Sequence, residues 1–271
     1  MTERRYRAER AYRNDAFLNS RDARPLRIMS EYLEPESRFD KFQIRDTIVF
    51  FGSARFPSAE AAEAELAAAR AGEGDLARAE TQMRMSRYYE DARELARRLT
   101  EWSKGLEGVD RRFVVCTGGG PGIMEAASRG ASEAKGLNIG LGISLPAAES
   151  TNSYVTRQLA FEFHYFFMRK FWFAYLAKAI VVMPGGFGTL DEFFEIITLI
   201  QTLKVKKRLP IVLYGAPYWR DVIDFDALLK YGTIDAKDLE LFLRTDSVDE
   251  AFRFVTAELT EHALASPGEG L

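Results

Sequence analysis

The chain has 271 residues, of which 47 % are hydrophobic and 28 % charged, and a formal net charge of −3. That is ample apolar material for a packed core, without the basic excess of a nucleic-acid binder. One cysteine and two histidines exclude a disulfide framework and a zinc site built from those side chains.

The opening MTERRYRAERAYRND lacks the apolar core of a secretory signal. The most apolar stretch, 171–184, is short and contains Lys178, whereas a membrane span needs about 20 apolar residues. The expected compartment is therefore reducing and cytoplasmic. Residues 1–45, charged and aromatic with weak periodicity, are expected to form an N-terminal arm of short helices. Thr47–Phe51 (TIVFF) is a continuous apolar run ending at Gly52-Ser53, the pattern of a strand buried on both faces. Two Ala- and Arg-rich helical stretches follow, at 58–70 and 76–102, separated by Ala71-Gly72-Glu73-Gly74. They make a helical insertion at about 58–107.

Beyond it, strands and helices alternate. Strands are expected at 113–116, 138–144, 159–163, 179–183 and 210–214. Helices are expected at 123–135, 164–178, from 188 to about 203, 219–231 and 248–264. This alternation predicts an α/β fold: a Rossmann-like three-layer α/β/α domain over 46–265 with a mostly parallel sheet and an N-terminal helical extension.

In such sheets ligands bind beyond the carboxyl ends of the strands, and two loops stand out there. One is Cys116-Thr117-Gly118-Gly119-Gly120-Pro121-Gly122, opening a helix. The other is Pro184-Gly185-Gly186-Phe187-Gly188-Thr189-Leu190-Asp191-Glu192. Glycines let backbone amides crowd an anion, and a helix N-terminus adds partial positive charge. Neither GxGxxG nor GxxxxGK[ST] occurs, so the loops suggest a phosphorylated ligand without suggesting a dinucleotide or ATP. Tight strand-to-helix turns alone would also use glycines.

Thr189 to Glu192 fits a capping box, with Thr189 as N-cap and Glu192 at the third helical position. The same spacing sets a carboxylate in the first helical turn at the ligand edge, where it would support an oxocarbenium-like transition state. Arg169-Lys170 sits among Phe166, Phe167, Phe171, Trp172 and Phe173. Either cation would serve a phosphate or ribose site, or the two would form a solvated pair at a helix edge.

His164-Tyr165-Phe166-Phe167-Met168-Arg169-Lys170 followed by PGGFGTLDE at 184–192 resembles the Lonely-guy (LOG) family, whose hallmark is an Arg-Lys pair upstream of PGGxGTxxE. GGGPGIMEAA from Gly118 and FFGSAR at 50–55 fit as well, and the resemblance spans 46–215. It implies a phosphoribohydrolase that releases the base from nucleoside 5′-monophosphates, cytokinin riboside monophosphates or AMP, leaving ribose 5-phosphate. It implies Arg169 and Glu192 as the catalytic pair. The implied substrate contacts are Ser53, Gly119, Gly120, Gly122, Glu149, Lys170, Gly185, Gly186, Phe187, Gly188, Thr189, Leu190, Asp191 and Thr198. No metal or cofactor is implied, and no nucleic-acid or membrane partner; the expected assembly is a homodimer or larger homo-oligomer.

Phe167 stands where plant-type members carry His, and His164 lies five residues before Arg169, as in the longer bacterial subtype. Cytokinin preference therefore stays open. Two other readings compete: a non-catalytic nucleotide sensor, and a decarboxylase using a pyridoxal phosphate Schiff base on Lys170 or Lys178. Molybdenum-cofactor carriage would rest on fold-level analogy alone.

Overall fold

The structure, a computed structural model, describes residues 8–106, 108, 111–145, 151–265 and 267. Seven parallel strands form one sheet: β1 (Thr47–Phe51), β2 (Val114–Thr117), β3 (Asn138–Ile143), β4 (Ala160–Phe163), β5 (Ala177–Val182), β6 (Ile211–Tyr214) and β7 (Leu243–Thr245). Their order is β4-β3-β2-β1-β5-β6-β7, and every pairing is parallel. The α-helices are α1 (Asp15–Leu18), α2 (Arg24–Lys41), α3 (Ala59–Arg70), α4 (Leu76–Lys104), α5 (Ile123–Glu133), α6 (Phe166–Tyr175), α7 (Phe187–Gln201), α8 (Ala216–Val222), α9 (Phe225–Lys230) and α10 (Val248–His262).

The period of two along the strands explains why they read as unbroken apolar runs. In β1, Ile48 and Phe50 face a core with Leu95 and Leu99 of α4, Ala126 of α5 and Val255 of α10. Val49 and Phe51 face the other core, with Phe39 of α2, Trp172 of α6, Phe193 of α7 and Trp219 of α8. With helices on both sides, both faces of the strands must be apolar. The expected three-layer α/β/α sheet is thus the observed one.

Several boundaries move. The arm contains α2, an 18-residue helix rather than a set of short ones. Pro35 inside it and its mostly exposed surface hid its period. The helix expected over 164–178 ends at Tyr175, and Lys178 belongs to β5, buried at 3 % exposure. The helix expected over 219–231 is two, α8 and α9, because Ile223 is extended and the Asp224 side chain accepts from the Ala227 amide to start a new helix. The edge strand β7 has three residues, too few to show a period. α3 and α4 form the crossover from β1 to β2, and α4 packs directly on the sheet.

The α4–α5 contact needs a glycine. A Cβ on Gly130 would lie 2.0 Å from the carbonyl oxygen of Arg93. Gly130→Ala is expected to force these helices apart and cost about 1–3 kcal/mol, read as a lower denaturation midpoint. An unchanged midpoint would show that this crossing is not tightly packed.

Candidate active site

The crevice arises from topology. From β1 the chain winds to one side of the sheet, and at β5 it returns to the other. The loops after these neighbouring strands therefore diverge, which opens a cleft at the switch point. The β1 loop is stitched to its neighbours: Ser53 N donates to Pro184 O at 3.0 Å, and Ser53 O accepts from Ile123 N at 2.9 Å. The resulting cavity, about 720 Å³, is lined by both sequence-predicted loops and by Arg169 and Glu192.

Arg169 projects from α6, a helix held at both ends. At its start the Glu31 carboxylate of α2 accepts from the amides of His164 (2.7 Å) and Tyr165 (3.2 Å). At its end Lys207 Nζ donates to the carbonyls of Ala174 (2.9 Å) and Tyr175 (2.8 Å). The Glu31 carboxylate at the N-terminus matches the helix dipole, and the Lys207 amine, whose pKa burial lowers to about 7, caps the last carbonyls. The N-terminal extension thus anchors the helix that carries Arg169. The guanidinium lies 5.3 Å from the Phe166 ring centre and 5.5 Å from that of Phe173.

Glu192 comes from α7 and is 5 % exposed. Its Oε1 sits 3.5 Å from Arg169 Nη2, an ion-pair distance, yet it has no hydrogen-bond partner. Arg169 Nε is also buried without one. Burial pushes the Glu192 carboxyl up to about 7, against the pull of Arg169 and Lys170. Two buried charged groups facing one cavity with unsatisfied atoms are costly to folding and available to a ligand.

The capping box expected at Thr189 and Glu192 does not form. α7 begins earlier, at Phe187, with Gly186 at the cap position and no side-chain cap. Glycine has no side chain with which to cap, so the amides of Phe187, Gly188 and Thr189 have no acceptor among the described residues; the first helical bond is Leu190 N to Gly186 O at 3.0 Å. Glu192 is thereby freed from capping and lies about 7 Å further along the helix axis, at 1.5 Å per residue. That distance is comparable to the length of a pentose.

The remaining predicted residues separate into three groups. Ser53, Gly185, Gly186, Phe187, Gly188, Thr189 and Leu190 line the cavity. Gly119, Gly120 and Gly122 do not. Gly119 is buried, its amide donates to Thr117 Oγ1 at 3.0 Å, and its carbonyl accepts from Asn152. Gly122, at φ 67°, lies where a Cβ would be 2.3 Å from Ser53 O. Gly122 lets the Cys116–Gly122 loop pack behind the β1 loop, and Gly118 and Met124 are what that segment contributes to the lining. Lys170, Asp191 and Thr198 lie on the outer face of α7, in a shallow depression shared with Phe194 and Glu195. Lys170 Nζ pairs there with Asp191 at 2.8 Å and Glu195 at 2.9 Å. Glu149 lies outside the described residues.

Neither lysine considered for a Schiff base faces the cavity. Lys178 begins β5, at the opposite edge of the sheet, beside Asp46. Among the described residues the cavity has no lysine in its lining, and no group of His, Cys, Asp and Glu is assembled to hold a metal ion. Sequence reading missed Phe56, Thr81, Met85, Met124 and Tyr218, which complete the walls. They come from separate segments and carry no local motif; only their proximity to the FFGS and GGGP motifs would have flagged Phe56 and Met124.

Residues 124–255 match the family described as possible lysine decarboxylase. These residues match a LOG-family domain. Solved structures of similar fold include TM1055, a structural-genomics target (21 % identity, TM-score 0.47, covering 78 % of this chain and 99 % of that one). Another is the molybdenum cofactor binding protein from the phototrophic bacterium Rippkaea orientalis (17 % identity, TM-score 0.47, 79 % and 97 % covered). A third is the Moco carrier protein from Chlamydomonas reinhardtii (20 % identity, TM-score 0.44, 80 % and 99 % covered). No curated protein matches the chain. The matched segment begins in the first turn of α5, just after the Cys116–Gly122 loop, and takes in Arg169, Glu192 and the whole of α7.

Proposed function

We propose that this LOG-family domain hydrolyses the base–ribose bond of nucleoside 5′-monophosphates. The observation that carries this reading is the pairing on one helix of three free amides at its exposed end with a buried carboxylate at Glu192 whose Oε1 has no hydrogen bond. The amides suit a phosphate, and the carboxylate suits the positive charge that develops on ribose as the base departs. In the reaction, the C1′–N bond breaks and its electron pair goes to the base. Water oxygen bonds to C1′, and the proton released from water balances the base nitrogen. Glu192 stabilises the oxocarbenium-like transition state and orients the water, while Arg169 holds the carboxylate in register.

Purified protein incubated with AMP, N6-isopentenyl AMP, other monophosphates and the matching nucleosides should release free base from monophosphates far faster than from nucleosides. Nucleotide binding with no base release would favour the sensor reading. Release of carbon dioxide from lysine, with bound pyridoxal phosphate in the absorbance spectrum, would favour the decarboxylase.

The pH dependence has a defined sign. Glu192 must be ionised to support a cation, and burial holds its carboxyl up to about 7. The kcat/KM of the free enzyme should therefore rise about tenfold per pH unit below that value and level off above it. A profile that falls with rising pH through the same range would assign Glu192 the role of proton donor instead.

A further inference from the structure

Among the described residues, three that line the cavity are charged: Arg55, Arg169 and Glu192. Arg169 and Glu192 lie within ion-pair distance and largely offset one another. Arg55 is exposed, on the loop after β1, and among the described residues its guanidinium has neither an ion pair nor a hydrogen bond. Its backbone is nevertheless fixed. The Arg55 amide donates to Ser53 Oγ at 3.1 Å, and Ser53 is bonded through its own backbone to both glycine loops. The loop after β1 forms one wall of the switch-point crevice, and the start of α7, with its free amides, forms the other. With the Arg169–Glu192 pair offset, the partial positive charge at the α7 helix start is what draws an anionic group toward the mouth.

We infer that Arg55 is the second arm of a phosphate clamp. It closes from the β1 loop on the phosphoryl group that the Phe187–Thr189 amides receive from the other side, and it thereby sets the preference for monophosphates over nucleosides. This inference rests on the reading of the crevice as a nucleotide site, but not on turnover. A guanidinium offers planar paired donors that match phosphate oxygens, and a long side chain on a rigid loop can cross a crevice mouth. Phosphate held there leaves the ribose to extend inward along α7 toward Glu192.

The test is calorimetric titration of AMP, adenosine and ribose 5-phosphate into Glu192→Gln protein, with and without Arg55→Ala or Arg55→Lys. Melting curves first check that each variant is folded. Loss of Arg55 should weaken AMP and ribose 5-phosphate by about 10- to 100-fold, leave adenosine unchanged, and be partly restored by lysine. With Glu192 present, Arg55→Ala should raise KM for AMP much more than it lowers kcat. AMP binding within twofold of the parent would overturn the inference, as would an equal loss for adenosine. Tight, Arg55-dependent binding of ribose 5-phosphate by a protein that releases no base would uphold the clamp and reject the hydrolase. Failure of Glu192→Gln and wild-type protein alike to bind any of the three would reject both.

Discussion

Glu192→Gln is expected to lower monophosphate hydrolysis by about a thousandfold, the scale on which a preorganised electrostatic group acts on a developing charge. Glutamine keeps the shape of the side chain and removes its charge, so the loss would report on charge and not on packing. The fold should survive, because Glu192 contributes no hydrogen bond through Oε1 and stands as far as 3.5 Å from Arg169, its ion-pair partner. Stability should move in a diagnostic way. The carboxyl has a folded-state value of about 7, raised from 4.5 by burial. Such a group binds its proton more tightly folded than unfolded. It destabilises the fold progressively as pH rises from about 4.5 to 7, and the cost approaches about 3 kcal/mol above that range. Glutamine escapes this cost, although Arg169 then loses its partner. The melting midpoint of Glu192→Gln, relative to wild type, should therefore climb between pH 5 and pH 8. Wild-type activity in this variant would sink the catalytic assignment, and a difference in midpoint that stays flat with pH would sink the claim that Glu192 is buried at a cost.

Arg169→Ala should reduce kcat/KM by about a hundredfold near neutral pH, and it should also displace the pH profile. Arg169 is the largest influence pulling the Glu192 proton off, against burial. Without that cation the carboxyl titrates higher still, so the acidic limb of kcat/KM should shift to higher pH and part of the lost activity should return in alkaline buffer. A mere structural lesion would lower the plateau without moving the limb. Arg169→Lys keeps the charge but not the planar fork wedged between Phe166 and Phe173. It should hold the limb near its wild-type position while losing rate. If both variants left the limb in place, Arg169 would not be tuning Glu192.

Much of the fold was legible because the physics that makes it is local or periodic. The runs TIVFF at 47–51 and AIVVM at 179–183 have no polar face, which only a sheet covered on both sides tolerates, and their alternation with helical stretches dictates parallel pairing. The edge strand β7 and the break between α8 and α9 were not legible. Three residues have no period, and the break is a single cap at Asp224 set inside an apolar stretch.

The site divides along the same line. Arg169, Glu192 and the glycine run 185–188 announce themselves by residue type and spacing, and the chain by itself determined that they sit at the carboxyl edge of a parallel sheet. Which of the nominated residues share a cavity was decided only by tertiary structure. Lys170 is adjacent to Arg169 in sequence, yet one step around a helix turns a side chain by about 100°, so Lys170 joins Asp191 and Thr198 on the far face of α7. Gly119 and Gly122 look like phosphate ligands in sequence, but the Gly119 amide is taken by Thr117 Oγ1 and the β1 loop packs directly against Gly122. The unsatisfied pair at Glu192 and Arg169 likewise depends on where α6 and α7 start, and those starts are set by Glu31, more than a hundred residues upstream of α6, and by an uncapped glycine at 186. Residue type and period follow from the chain alone, whereas burial, pairing and the wall opposite a side chain belong to contacts between distant segments.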